Sequence, residues 1–419
     1  MQRVAGLLHG LLARPLASYH LLLASAGLLL AIGLMMVFSA TSVNSYATEG
    51  SAFTRIAEQA TYALFGLLAF WVCQRLPART FRALGLPLLL LAFLLQGLLD
   101  AVSLLHRGDG PARLGPIEAN LNWLELGGLS MQPSELAKLA LVLWAADVLT
   151  RKGPALGYWR QLALPLFPVT GALMLLVGFT DLGTMLCLLV LFVGMLWAAG
   201  VRLRVFAGMG LAVVAGIALL IAAQRSYRVE RLTSFLDPNC DVLDQCYQAV
   251  QGRSAIADGG WFGVGLGNAA YKWGWLPEED NDFIFAVIGE ELGVIGCLVV
   301  LGLFGVLAYT GLRIARRVSD GFRRLAATGV IAWIVGQTVI NVGGVVGLLP
   351  VTGLPLPFIS TGGSALLVTL AAVGMLASFA RAEPDASRAL HARPPARWVQ
   401  VLWAPLPPLP RARVKEEIG

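Results

Sequence analysis

Residues 278–311 read EEDNDFIFAVIGEELGVIGCLVVLGLFGVLAYTG, and the reading of this stretch decides the fold. An acidic run, Glu278-Glu279-Asp280-Asn281-Asp282, stops at Phe283, and the apolar sequence that follows is interrupted only by Glu290 and Glu291. About 20 apolar residues cross a hydrocarbon core of about 30 Å as a helix, so 283–311 spans a membrane and Asp282 stands at its boundary. Working outward, similar runs recur at about 18–40, 59–74, 84–105, 134–150, 161–179, 183–200, 205–224, 325–349 and 362–381. The chain therefore reads as all-α, a polytopic membrane protein with about ten transmembrane helices. Composition agrees: 57% of residues are hydrophobic and 13% charged, against roughly 25% charged in a soluble domain. The first apolar run is long and lacks a small-residue cleavage site, so it reads as a helix and not as a signal peptide.

Orientation follows from Lys and Arg, which concentrate in cytoplasmic loops. With both termini cytoplasmic, 22 of the 31 basic residues fall on the cytoplasmic side, eight on the other, and Lys138 lies within a span. The net charge of +6 then reflects topological anchoring against anionic lipid and gives no reason to expect nucleic acid. Residues 1–17 form a cytoplasmic N-terminus and 18–382 the membrane domain. The Arg- and Pro-rich segment 383–419 reads as a disordered cytoplasmic tail.

Two long connections lie outside, 106–133 and 225–282, the second between helices seven and eight. Long loops on a rigid scaffold concentrate function. The second carries nine carboxylates against five cations. Its glycine-rich run, Gly259 to Asn268, follows no strand and so is not a dinucleotide loop; it reads as a close-packed interfacial segment. Trp261, Trp273 and Trp275 read as belt aromatics, with sugar stacking as the alternative. Cys240 and Cys246 share this loop, where a disulfide can survive. No His/Cys spacing suggests a metal site. The connection Leu349 to Phe358 carries no charge and three prolines. Irregular apolar backbone of that kind is tolerated at membrane depth only where it lines a cavity. Ser360 or Thr361 can cap the last helix, leaving N–H groups that suit phosphate oxygens.

Ionisable groups inside a membrane cost roughly 2.5–3.5 kcal/mol each by insertion scales and are functional candidates. Glu135 and Lys138, spaced i,i+3 after Gln132-Pro133, can neutralise each other. Asp181 in Asp-Leu-Gly-Thr184 reads as a helix cap. Glu290 and Glu291 cannot face the same way, so at least one points into the bundle. Asp282 is the sharpest candidate: a helix cap by one reading, a general base by the other, because it is partly desolvated and within reach of an amphiphile's head group.

Taken together, these motifs resemble the shape, elongation, division and sporulation (SEDS) family. The run Trp273 to Gly293, Asn341 to Gly363, Gln132 to Lys138, Asp181 to Thr184, and Tyr247-Gln248 with Gly265-Leu-Gly-Asn268 match it in order and spacing from about residue 20 to 380. The resemblance implies a ten-helix peptidoglycan glycosyltransferase in the cytoplasmic (inner) membrane with its active face extracytoplasmic, polymerising lipid II and releasing polyprenyl pyrophosphate. Gly265 to Asn268 and Tyr271 to Pro277 look more like the division branch than the elongation branch. The family's essential external aspartate falls on Asp282 and its first-loop tryptophan on Trp123. Arg253, Lys272 and the start of the last helix (Ser360, Gly362, Gly363) are the expected pyrophosphate contacts, with Gln132, Glu135, Lys138, Asp181, Glu290 and Glu291 as supporting polar groups. No cofactor is evident, and a divalent cation remains an option. Implied partners are a class B penicillin-binding transpeptidase and divisome membrane proteins. The sequence departs from the family pattern at Asn122, Phe179-Thr180, Thr361 and Ala365. An elongation polymerase and a lipid II flippase or other transporter are the rival readings; no internal repeat between the halves supports a carrier.

Overall fold

The computed structural model describes residues 10, 13–105, 112–114, 117–120, 122–126, 129–153, 159–222 and 246–409. Each of the ten expected spans falls on one helix: α1 (Ala17–Glu49), α2 (Thr54–Cys73), α3 (Ala78–Leu105), α4 (Pro133–Lys152), α5 (Trp159–Thr180), α6 (Leu182–Ala198), α7 (Leu203–Ala222), α9 (Ile284–Arg317), α10 (Gly321–Val345) and α11 (Gly363–Arg381). A shorter helix, α8 (Tyr247–Gly259), precedes α9. Seven of the described helices are long and apolar enough to cross a membrane by length and composition alone. Helix α4 misses that standard because Glu135, Lys138 and Asp147 all interrupt it, and the first two form an ion pair of 2.7 Å with both side chains buried. Helix α6, at 17 residues, is one turn shorter than an ordinary span. The protein is a multi-pass helical membrane protein.

One small sheet departs from the all-α expectation. Strands β1 (Ala112–Leu114), β2 (Ile117–Asn120), β3 (Trp123–Leu126) and β4 (Leu129–Met131) form an antiparallel meander in the order β1-β2-β3-β4. They occupy the 106–133 connection, where alternation such as Trp123-Leu124-Glu125 buries Leu124 against Leu99 and Val102 of α3 while Trp123 and Glu125 take the opposite face. We call this end of the bundle the sheet end.

The glycine-rich segment packs as expected, and the structure supplies the reason. Helix α9 breaks at Gly293 (φ 68°), which frees backbone groups on both sides of the break. The 260–265 backbone takes them up: Val264 N donates to Glu290 O (2.9 Å), Gly265 N to Glu291 O (3.1 Å), and Val294 N to Gly260 O (2.9 Å). Gly263 and Gly293 lie so close together that a Cβ on either would collide with main chain.

The tail corrects the expectation of disorder over its described part. Helices α12 (Pro384–Ala392) and α13 (Arg397–Leu402) form, and the chain docks on the opposite end of the bundle. The last carbonyls of a helix have no partner within it. Here Trp71 Nε1 donates to Leu402 O (2.6 Å), Arg75 to Val401 O (2.6 Å) and Arg381 to Ala404 O (3.1 Å). Trp403 Nε1 donates to the Tyr19 hydroxyl (2.6 Å). Residues 410–419 of the expected tail, and 1–9 of the N-terminus, lie outside the described residues. So does Cys240; Cys246 is disulfide-bonded, and Cys73, Cys187 and Cys297 are free thiols.

Candidate active site

At the sheet end a cavity of about 580 Å³ opens between four walls. The end of α1 contributes Thr41, Asn44, Ser45 and Thr48, and the start of α2 contributes Arg55, Glu58, Gln59 and Tyr62. The sheet adds Asn120, Trp123, Glu125 and Ser130. The fourth wall is Glu278 to Asn281 together with Thr361, Gly362 and Gly363. Both helical walls repeat polar residues at i, i+3, i+4 and i+7, one face of a helix. That spacing is visible in the sequence, yet these eight residues are not among the expected site residues.

The acidic wall is held by three clamps. Thr361 N and Oγ1 donate to Asp280 O (2.9 and 3.0 Å), Ser360 Oγ to Asn281 O (2.6 Å), and Asn341 Nδ2 to Asp282 O (2.7 Å). Three successive carbonyls are thus gripped by α10 and the α10–α11 connection. Asn341 Nδ2 also donates to Leu354 O (2.7 Å), and Leu356 N donates to Ser360 Oγ (2.7 Å). The apolar proline-rich connection is therefore buried and hydrogen-bonded, as irregular backbone at that depth must be. Ser360 and Thr361 do not cap α11: its N-cap is Gly362, with no side-chain bond, because the two hydroxyl side chains are engaged on the 280–281 backbone instead.

Asp282 is partly buried and lines a separate, narrow cleft of about 10 Å³ with Asn341, Gly344, Thr352 and Gly353. Its Oδ2 lies 3.4 Å from where a Cβ on Gly353 (φ 74°) would stand. Residues 278–281 line the large cavity and Asp282 the cleft, so the two hollows adjoin along one turn of chain. Burial pushes the Glu279 carboxyl up to about 7, with the charges of Asp280 and Glu278 acting in the same direction. Burial and Glu278 also raise Asp280, opposed by its hydrogen bond from Thr361 and by Arg55.

The other expected residues separate into groups. Trp123, Gly362 and Gly363 line the cavity. Lys272 does not: it is 2% exposed, and its Nζ binds Glu291 (3.2 Å), Ser39 O (3.2 Å) and Gly267 O (2.7 Å). Glu291 also accepts from Ser39 Oγ (2.7 Å). A cation so engaged has no hydrogen-bonding capacity left for a diphosphate. Glu290 is buried as well and accepts from Ala270 N (2.5 Å), because the 246–283 segment folds over the first half of α9 and covers both of its faces. Arg253 is exposed on α8, its side chain against Gly347 just beyond the cleft-lining Gly344 and Val345 of α10. Deeper in the bundle, Gln132 Nε2 donates to Asp181 Oδ2 (3.1 Å), and Asp181 caps α6 by accepting from Thr184 N (2.8 Å). Lys138 bridges Glu135 and Gln337 Oε1 (2.8 Å), and Gln337 Nε2 donates to Pro355 O (2.7 Å). This network thus braces the connection whose Ser360 and Thr361 grip the 280–281 backbone just before Asp282. No group of three or more His, Cys, Asp or Glu able to hold a metal occurs among the described residues.

The chain is thus a helical membrane bundle with a polar cavity at one end and the backbone of an aspartate clamped beside it. The profile of the FtsW/RodA/SpoVE cell cycle proteins matches residues 19–384. A probable peptidoglycan glycosyltransferase FtsW of Mycobacterium bovis is 43% identical over 397 residues, covering 94% of this chain and 74% of that one. Stage V sporulation protein E of Bacillus subtilis is 36% identical over 356 residues, covering 84% and 94%. Among solved structures, a chain from a study titled for the coordination of polymerization and crosslinking by a peptidoglycan synthase complex superposes with a TM-score of 0.68 at 28% identity, covering 86% and 96%. The rod shape determining protein RodA of Thermus thermophilus gives 0.60 at 26%, with the same coverage. The chain belongs to the FtsW/RodA/SpoVE family.

Proposed function

We propose that this protein is a peptidoglycan glycosyltransferase that polymerises lipid II into glycan strands during septal wall synthesis. Family membership supports the reaction class, and relatives named FtsW at 43% identity support the division role. The single observation that carries the site is the acidic turn 278–282, gripped at three successive carbonyls between a head-group-sized cavity and the cleft of Asp282.

Asp282 is the general base. It takes the proton from the sugar 4-hydroxyl of one lipid-linked disaccharide as that oxygen attacks the anomeric carbon of a second, and polyprenyl pyrophosphate leaves with inversion. Proton removal by a positioned carboxylate is worth about 10²–10⁴-fold, and fixing two membrane-anchored substrates supplies much of the remainder. Among the described residues, Arg253 is a cation near the cleft, which supports placing the leaving diphosphate on that side. The sheet end is extracytoplasmic, in keeping with the distribution of Lys and Arg. The partner is a class B penicillin-binding transpeptidase, in keeping with the related chain solved in a synthase complex, together with other divisome membrane proteins. The deciding experiment incubates the purified protein, alone and with that partner, with labelled lipid II. Polymer is the expected product; movement of lipid II across a vesicle bilayer without polymer contradicts the assignment and favours a flippase.

A further inference from the structure

The large cavity has two features that the glycosyl-transfer reading does not use. Its described lining carries five carboxylates, Glu58, Glu125, Glu278, Glu279 and Asp280, against one guanidinium, Arg55. It also holds Ser45, which is 2% exposed and whose Oγ is buried without a hydrogen-bond partner. A buried hydroxyl left unpaired is costly, and this one stands in the cavity wall.

The charge decides which ligand. A diphosphate brought within a few ångströms of this lining meets like charge in a partly desolvated space, so the phosphate end of a lipid-linked substrate belongs elsewhere. Three of the carboxylates are consecutive, and Glu278 is held at φ 56°, a conformation uncommon for a residue with a side chain. Burial of Glu279 beside its acidic neighbours, which lifts its carboxyl to about 7, means that an arriving cation relieves a repulsion already present. Tyr62 and Trp123 add aromatic faces that suit an ammonium or the apolar face of a sugar.

We propose that this cavity binds an amine-bearing peptide arm of the substrate, with the ammonium among Glu278, Glu279 and Asp280. The proposal rests on the reading that the substrate is a lipid-linked disaccharide peptide, and it assigns the ammonium to a side-chain amine of that peptide. It sorts the substrate by charge, with the ammonium in the acidic cavity and the diphosphate on the side of Arg253.

The test is a binding titration, independent of turnover. The probes are a soluble disaccharide pentapeptide with a free lysine amine and the same molecule acetylated on that amine, each titrated calorimetrically into the full-length protein in detergent. The free amine binds at least about tenfold more tightly. The Glu279→Gln/Asp280→Asn double variant loses most of that preference, and a thermal melt establishes that it is folded. Asp282→Ala keeps the preference, because recognition precedes chemistry. Equal affinity for the two probes, or no binding of either, overturns the proposal. Polymerisation measured in parallel separates the two ideas: a protein that makes glycan yet shows no amine preference refutes the cavity assignment and leaves the transferase reading intact.

Discussion

Replacing Asn341 with alanine tests the geometry more sharply than any change at the cavity wall. Asn341 is 5% exposed, and its Nδ2 donates at 2.7 Å to both Asp282 O and Leu354 O. Truncation removes both N–H donors and leaves every residue of the large cavity's lining in place. A buried acceptor left unpaired costs about 1–3 kcal/mol. Leu354 is 1% exposed and its carbonyl has nowhere to turn, whereas partly exposed Asp282 recovers some hydration, so the total is about 2–4 kcal/mol. The larger consequence is positional. The Asp282 backbone loses one of the three anchors along its turn, and a displacement of about 1 Å at a reacting group costs about 10²-fold. Asn341→Ala should therefore lower the melting temperature and reduce kcat for lipid II polymerisation about 10- to 100-fold, with KM within about threefold of wild type. Asn341→Asp, which keeps the shape but turns acceptors toward acceptors, should be no better. A variant with wild-type kcat would show that Asp282 needs no clamp, and the reasoning would be wrong.

Other outcomes follow from the same contacts. Lys272→Met strands Glu291 without its cation, a loss of about 3–5 kcal/mol, and adding Glu291→Gln should recover most of the lost melting temperature; a Lys272→Met protein of unchanged stability but weakened substrate binding would restore Lys272 as a ligand. Gly353→Ala places a side chain at φ 74° and 3.4 Å from Asp282 Oδ2, at a cost of about 1–2 kcal/mol, and turnover should fall more than stability does; unchanged turnover counts against the closeness of that packing. Glu279 is held at about 7 against an ordinary 4.5, so across that window the folded protein binds more protons than the unfolded chain and stability declines as pH rises. Glu279→Gln should accordingly melt above wild type at pH 8, with the margin shrinking toward pH 4; a margin independent of pH removes the argument.

The spans were legible because apolar length is a local property. Phe283 onward, or Ala17 onward, announces a membrane helix without reference to anything distant. The Glu135–Lys138 pair and the Asp181 cap were legible for the same reason, since their partners lie within one helical turn. What failed depended on remote neighbours. Lys272 read as a phosphate ligand because nothing nearby in sequence reveals Ser39, which shares Glu291 with it from 233 residues away. Ser360 read as a helix cap because its true acceptor, Asn281 O, is 79 residues distant. The tail read as disordered from its prolines and arginines, yet its free carbonyls meet Trp71 and Arg75 across more than three hundred residues. The polar stripes of α1 and α2 are a different case: Thr41, Asn44, Ser45 and Thr48 carry a helical period in plain view, masked by their position at the margin of an apolar run.

The account stands on Asp282 removing a proton, and the most direct test is turnover of labelled lipid II by purified Asp282→Asn protein alongside wild type. The substituted side chain fills the same space and cannot act as a base. Polymer formation should fall by at least about 10²-fold, while the melting temperature and binding of the soluble disaccharide peptide stay close to wild type. Glycan synthesis at the wild-type rate would mean that the base lies elsewhere.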